Sequence, residues 1–201
     1  MPTKSGQSRI IRKSRGGLTN EGLPEGYTRL MYIESTGEQF IETGMTPDFA
    51  DEDEFVFKFA LTKNIKVQLL WATSGDIHQL PYTGALRLDQ TDERPSIPVS
   101  SGEVYKYKTV GKTVFLNDET YAGAWTNGAT APMTLLAKRK YDGYETFASA
   151  RIYEVLYVAN GVTVLNLLPV LDPEGRPGLL NTVSGAMLYN AGSGEFLYSA
   201  E

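Results

Sequence analysis

Cysteine is absent from this 201-residue chain, and His78 is its single histidine. The first absence excludes disulfide staples, thiolate metal ligation and a cysteine nucleophile. The second, combined with it, excludes a His-rich zinc site. The fold must be held by its core alone. No stretch approaches the roughly 20 consecutive apolar residues that a helix needs to cross a bilayer. Met1 to Gly22 lacks the apolar run of a secretory signal. Folding in a cytoplasm, without a membrane partner, is the expectation. The chain also lacks G-x-S-x-G and G-x-x-x-x-G-K-S/T, so neither a nucleophile elbow nor a phosphate loop is expected, and no cofactor is assigned.

Against these absences stands an aromatic-rich composition, with 41% hydrophobic residues, twelve Tyr and eight Phe. Such residues favour half-buried strands. A chain of this length buries a sizeable core in one unit. The expected organisation is a basic extended arm over residues 1–22 and one β-sandwich domain over residues 23–201.

The net charge of −5 hides two opposite signs. Residues 1–22 carry Lys4, Arg9, Arg12, Lys13 and Arg15 against Glu21 alone, a net of +4. The remainder keeps 14 cations and 23 anions, a net of −9. A body of that sign repels phosphate backbones, so no nucleic-acid partner is expected for it. The arm offers only Ile10, Ile11 and Leu18 for burial, too little to offset its own ordering entropy. Fully extended, it reaches on the order of 60 to 70 Å at ~3.3 Å per residue. It is either a solvated terminus or an anchor that orders on an acidic partner through Arg9, Arg12, Lys13 and Arg15; nucleic-acid contact is a third reading.

From Leu23 onward the texture is short β-rich runs between turn residues. Tyr27–Ser35 and Gln39–Thr43 flank Thr36-Gly37-Glu38, a link of hairpin length. Glu54–Leu61 alternates strictly, with Phe55, Phe57 and Phe59 on one face. Strands are also expected at Lys66–Ala72, Gly84–Leu88, Glu103–Val110, Lys112–Leu116, Glu119–Trp125, Met133–Lys140, Thr146–Ala159 and Val162–Val170. Thr91–Ser101, with two prolines, reads as loop or edge. Within Thr146–Ala159, Ile152, Glu154, Leu156 and Val158 alternate with Tyr153, Val155 and Tyr157, as in a central strand filled on both faces. Asn160-Gly161 is the strongest hairpin signal, because both central residues of a type I′ turn need positive φ. Beyond Leu171, turn clusters separate Leu179-Leu180 from Met187–Tyr189, as closing segments of the same sandwich. No internal repeat recurs at a period of about 20 to 50 residues.

Two stretches are distinctive. Leu23-Pro24-Glu25-Gly26-Tyr27-Thr28-Arg29-Leu30 runs into Tyr32-Ile33-Glu34-Ser35-Thr36-Gly37-Glu38-Gln39-Phe40-Ile41-Glu42-Thr43-Gly44. Arg151-Ile152-Tyr153 leads through Asn160-Gly161 and Leu168-Pro169-Val170 to Gly178-Leu179 and Asn190-Ala191-Gly192-Ser193-Gly194-Glu195-Phe196. These resemble the opening and the close of a concanavalin A-like, laminin-G-like jelly-roll module, of the kind found in structural proteins of tailed bacteriophages and surface proteins of gut bacteria. The resemblance brackets residues 23–197, with an undistinctive centre at 62–132. It implies an all-β, two-sheet antiparallel jelly-roll with a binding or virion-surface role, and names no ligand.

Concanavalin A-like glucanases place their two carboxylates with an E-x-D-x-x-E strand. No E-x-D triplet occurs here, and an enzyme is not expected. The run Asp51-Glu52-Asp53-Glu54 alternates its side chains between faces and reads as a solvated turn ahead of a cation site. His78 reads as a polar loop residue. Calcium sites occur in laminin-G-like folds, but no carboxylate spacing here is diagnostic and no metal is assigned. Trp71, Tyr82, Tyr121 and Trp125 lie near loops or strand ends and are open to two readings, sheet packing or stacking on a glycan.

The resemblance and the charge asymmetry together lead to the expectation of a phage virion structural protein. It would be a capsid or tail decoration at the virion surface, assembled in the host cytoplasm and tethered by the arm to acidic neighbouring subunits. The alternative is a carbohydrate-binding module for host or mucosal glycans. A homo-oligomer suits a projecting protein, although no heptad stretch supports a coiled-coil trimer.

Overall fold

Alternation in the phenylalanine run does what a period of two dictates: Phe55, Phe57 and Phe59 are all fully buried on one face. The computed structural model describes residues 22–50, 52–63, 70–73, 77–82, 85–88, 96–111, 113–122, 131–140 and 143–200. Its strands, in chain order, are β1 (Thr28–Arg29), β2 (Tyr32–Glu34), β3 (Ile41–Glu42), β4 (Glu54–Leu61), β5 (Trp71–Thr73), β6 (Ile77–Tyr82) and β7 (Ala85–Leu88). There follow β8 (Ser96–Pro98), β9 (Val104–Val110), β10 (Thr113–Leu116), β11 (Glu119–Ala122), β12 (Thr134–Leu135), β13 (Lys138–Lys140) and β14 (Gly143–Glu145). The last are β15 (Ala150–Ala159), β16 (Val162–Leu171), β17 (Pro177–Asn181), β18 (Met187–Leu188) and β19 (Leu197–Ser199).

The fold is all-β, with antiparallel sheets in a sandwich-like arrangement. The larger sheet has eleven strands, eight of them in the order β11-β10-β9-β4-β15-β16-β17-β18, with β1, β2 and β19 added at its side. The smaller sheet runs β3-β12-β5-β6-β7-β8, and β13-β14 forms a separate hairpin. Phe55 on β4 meets Trp71 on β5 with ring centroids 5.0 Å apart, which joins the two main sheets through the core. Such aromatic pairs contribute about 0.5–1.5 kcal/mol beyond the area they bury.

Local turn chemistry closes the hairpins as expected. Asn160 and Gly161 both take positive φ, 50° and 74°, between Ala159 and its partner Val162. Asn117, at φ 54°, turns β10 into β11, and its side-chain oxygen accepts from the Lys106 amide at 2.9 Å. Gly84–Leu88 yields β7, and β8 closes the smaller sheet's order beside it, an edge position that tolerates its proline.

Elsewhere the structure departs from the sequence expectation. Tyr27–Ser35 is two strands: β1 pairs with β16, whereas β2 lies between β15 and β19. Thr36-Gly37-Glu38 is not a hairpin link but carries the chain from the larger sheet to β3 in the smaller one. Met133–Lys140 breaks into β12 and β13 at Leu136, which adopts φ 70° and donates its amide to the Leu70 carbonyl. His78 is on strand β6, opposite Ala72, rather than in a loop. In β15 the regular alternation fails at a bulge, because Ile152 pairs with Phe59 and Glu154 with Lys58. The extra residue makes Ile152 and Val155 the inward pair and leaves both Tyr153 and Glu154 on the other side.

Tyr107 on β9 is enclosed, and its hydroxyl has no hydrogen-bond partner among the described residues. Burial pushes its pKa well above the usual phenol value. Removing an unsatisfied buried hydroxyl relieves a desolvation penalty, so Tyr107→Phe is expected to stabilise the fold by about 1 kcal/mol. A higher urea midpoint at unchanged slope would register this; a lower one would mean the hydroxyl has a partner.

Candidate functional site

The two distinctive stretches, some 150 positions apart, are brought into one corner. Ser35 and Gln39 are buried there and organise the first turn. The Gln39 Oε1 accepts from the Thr36 amide at 2.8 Å, and the Ser35 hydroxyl donates to the Gln39 carbonyl at 3.0 Å. Asn190 organises the second: its Oδ1 accepts from the amides of Gly192 at 2.8 Å and Phe40 at 3.1 Å, while its Nδ2 donates to the Gly194 carbonyl at 2.9 Å. Gln39 Nε2 donates across to the Ser193 carbonyl at 2.9 Å, and Ala191 N and Ser193 N bond to the Phe40 and Glu38 carbonyls. One side-chain amide on each turn, buried Gln39 and partly buried Asn190, therefore satisfies backbone groups of both.

Beside this corner lies an open groove lined by Gly37, Glu38, Phe40, Tyr144, Phe147 and the turn Ala191–Ser193. Phe40, only 4% exposed, is its floor. The Tyr144 ring lies 4.1 Å from that of Phe40, centroid to centroid, and the Phe147 ring 5.9 Å. Tyr144 donates its hydroxyl to the Glu42 carboxylate, and Glu38 is exposed at the rim. Aromatic faces beside a free carboxylate and turn backbone offer an apolar surface with a few fixed polar groups. That chemistry suits binding more than bond cleavage.

No protein-family model matches the chain, and no curated protein matches it.

Of the aromatics singled out in the sequence, Trp71 and Tyr121 lie on different sheets, on β5 and β11. Trp71 is a correction to the glycan reading: it is 1% exposed, with Phe49, Phe55 and Tyr107 around it, so its faces are already in contact with the core. Tyr121 is half-buried on β11 and donates to Glu119 at 2.6 Å. Tyr82 is described only by its place on β6, opposite Ala85. Trp125 and the arm residues Arg9, Arg12, Lys13 and Arg15 lie outside the described residues.

The acidic run is also corrected. Asp51 lies outside the described residues, but Asp53 is 3% exposed rather than solvated. Its carboxylate accepts from the amides of Ala50 at 3.0 Å and Asn160 at 3.2 Å, and from the Tyr157 hydroxyl in a short bond. Tyr157 in turn accepts from the amides of Asp48 and Phe49. Burial, then the bond to Asp53, pushes the Tyr157 phenol up to about 12. Glu54 pairs with Lys108 at 2.8 Å. The run thus ties the entry of β4 to the β15–β16 hairpin. Among the described residues, no group of three or more His, Cys, Asp or Glu is placed to hold a metal.

Phe40, Tyr144, Phe147 and Glu38 escaped the sequence reading because they lie on two separate segments, with the turn Ala191–Ser193 supplying a third side of the groove. The available signal was Asn190-Ala191-Gly192-Ser193-Gly194, a turn with more hydrogen-bonding capacity than its own backbone needs.

Proposed function

We propose that this chain is a virion structural protein of a tailed phage, a non-enzymatic head or tail decoration that displays a concanavalin A-like jelly-roll and is held to the particle by its basic arm. The observation that carries the reading is the charge division, +4 over residues 1–22 against −9 over the rest. An arm of that sign is drawn to acidic neighbouring subunits, while the acidic body is repelled by the same surface and is held outward. Two further features support it: the quoted motif stretches resemble phage jelly-roll modules, and a cysteine-free chain suits assembly in a host cytoplasm.

The test is co-sedimentation of the full chain, and of a chain starting at Leu23, with particles lacking this protein, over a salt series. Loss of the arm is expected to weaken association by about tenfold or more at low salt, and added salt to weaken the full chain in the same way. Equal association of the two chains would overturn the anchoring role.

A second reading, a carbohydrate-binding module, is favoured by the groove of Phe40, Tyr144 and Phe147 with Glu38 at its rim. It puts affinity in the folded body rather than the arm, so Tyr144→Ala, not arm removal, is the substitution that separates the two.

A further inference from the structure

The outward face of the larger sheet carries a second arrangement, distinct from the groove. Strand register aligns Lys106 on β9, Lys58 on β4 and Glu154 on β15 in one row. Neighbouring rows hold Lys108, Val56 and Leu156 on one side and Val104, Ala60 and Arg151 on the other. Two of these cations have partners: Lys108 pairs with Glu54 at 2.8 Å, and Arg151 with Glu34 at 2.7 Å. Lys58 and Lys106 directly face each other, and neither makes an ion pair with a described residue. Like charges placed opposite across two strands are destabilising, and with Glu154 as its one carboxylate the row keeps a net positive charge on an otherwise acidic body.

The bulge adds a ring to the same place. Because Tyr153 is the extra residue of β15, it shares the outward side with Glu154, and Lys58 Nζ lies 6.0 Å from its ring centroid. Tyr32 on β2 meets Tyr153 edge-on at 5.6 Å, and the Arg151 guanidinium lies 4.5 Å from the Tyr32 ring centroid. Bulges commonly re-aim a side chain at a site in this way. The face is therefore two free ammonium groups beside tyrosine rings, interleaved with the carboxylates of Glu34, Glu54 and Glu154.

We propose that this face binds an acidic polysaccharide, with Lys58 and Lys106 holding a uronate carboxylate and Tyr153 contacting the adjoining sugar ring. The interleaved carboxylates select this chemistry. They accept hydrogen bonds from sugar hydroxyls, and together with the −9 body they repel a dense polyanion such as a nucleic acid or a polysulfate. The proposal goes beyond the anchoring role and is independent of it, since failure here leaves the arm's attachment untouched.

The test is isothermal titration of the full chain with oligogalacturonate, against neutral dextran and dextran sulfate. Oligogalacturonate is expected to bind and dextran not to. The double variant K58Q/K106Q is expected to lose about tenfold or more in affinity, while its urea midpoint holds or rises because a like-charge pair is removed. Tyr153→Ala is expected to weaken binding as well. A variant with Arg9, Arg12, Lys13 and Arg15 all changed to Gln is expected to keep it. No binding of oligogalacturonate, equal or tighter binding of dextran sulfate, or loss in the arm variant without loss in K58Q/K106Q would each overturn the proposal.

Discussion

Gly192→Ala is expected to cost more stability than alanine at any other described glycine. A Cβ on Gly192 would sit 2.0 Å from the Glu38 carbonyl oxygen and 2.9 Å from the Phe40 ring. The first of these is backbone, fixed by the Ser193 amide that bonds to it and by the Gln39 and Asn190 side chains around it. Relief therefore means parting the two turns, which forfeits the hydrogen bonds that join them, and a loss of about 3 kcal/mol is expected. Gly185→Ala isolates the other way in which a glycine is needed: at φ 75° with nothing near its Cβ, it carries only the left-handed backbone cost of about 1–2 kcal/mol. Urea unfolding of both variants, with amide exchange at Phe40 and Ala191, distinguishes steric contact from backbone conformation. Equal losses at the two positions would mean that the corner yields easily and that Asn190 does not hold it.

That corner also marks where sequence reasoning reached its limit. Phe55, Phe57 and Phe59 are legible because period-two alternation is local, and Asn160-Gly161 is legible because a type I′ turn constrains only its own backbone. The sheet a strand joins is not local information. Nothing between Ser35 and Gln39 says that the chain changes sheets there, since the deciding partners are Ser193 and Asn190 near the far end of the chain. The bulge at Tyr153 was hidden for another reason: large apolar or aromatic residues occupy both faces of β15, so a shift of one leaves the pattern equally plausible. Asp53 looked solvated because four consecutive acids usually are; its donors come from Ala50 beside it and from Tyr157 and Asn160 on a distant hairpin. The candidate sites share this character. The groove draws on three segments, and the Lys58–Lys106 row exists only through the register of β4 and β9.

Asp172→Asn tests the most concentrated charge interaction in the described structure, and it is expected to destabilise by about 2 kcal/mol at neutral pH. Asp172 is 3% exposed in the turn between β16 and β17. It accepts from the Arg176 amide at 2.8 Å, from Arg176 Nε at 2.7 Å and from the Tyr189 hydroxyl at 2.6 Å. The guanidinium also covers the Tyr189 ring at 4.5 Å. An asparagine of the same shape keeps one acceptor but turns an N–H toward these donors. Burial alone would raise the Asp172 pKa, but the bonds from Tyr189 and Arg176 overcome it and hold the carboxyl well below the usual carboxylate range. Its stabilisation is therefore complete above the unfolded value of about 4 and is lost as pH falls through that value toward the folded one, because the unfolded chain then binds the additional proton. Stability of the variant should fall less steeply than that of the parent below about pH 4, so the two curves converge in acid. At the other extreme, the bond to Asp172, then burial, pushes Tyr189 up to about 12, so its share is present below the unfolded value of about 10 and disappears as pH rises through 12. The variant removes that share while Tyr157 keeps its own bond to Asp53, so some alkaline dependence must survive in it. Parallel acid curves for parent and variant would mean that the Asp172 carboxylate is held no better in the fold than in the unfolded chain, and that packing of β17 against β18, rather than this charge, closes the sheet.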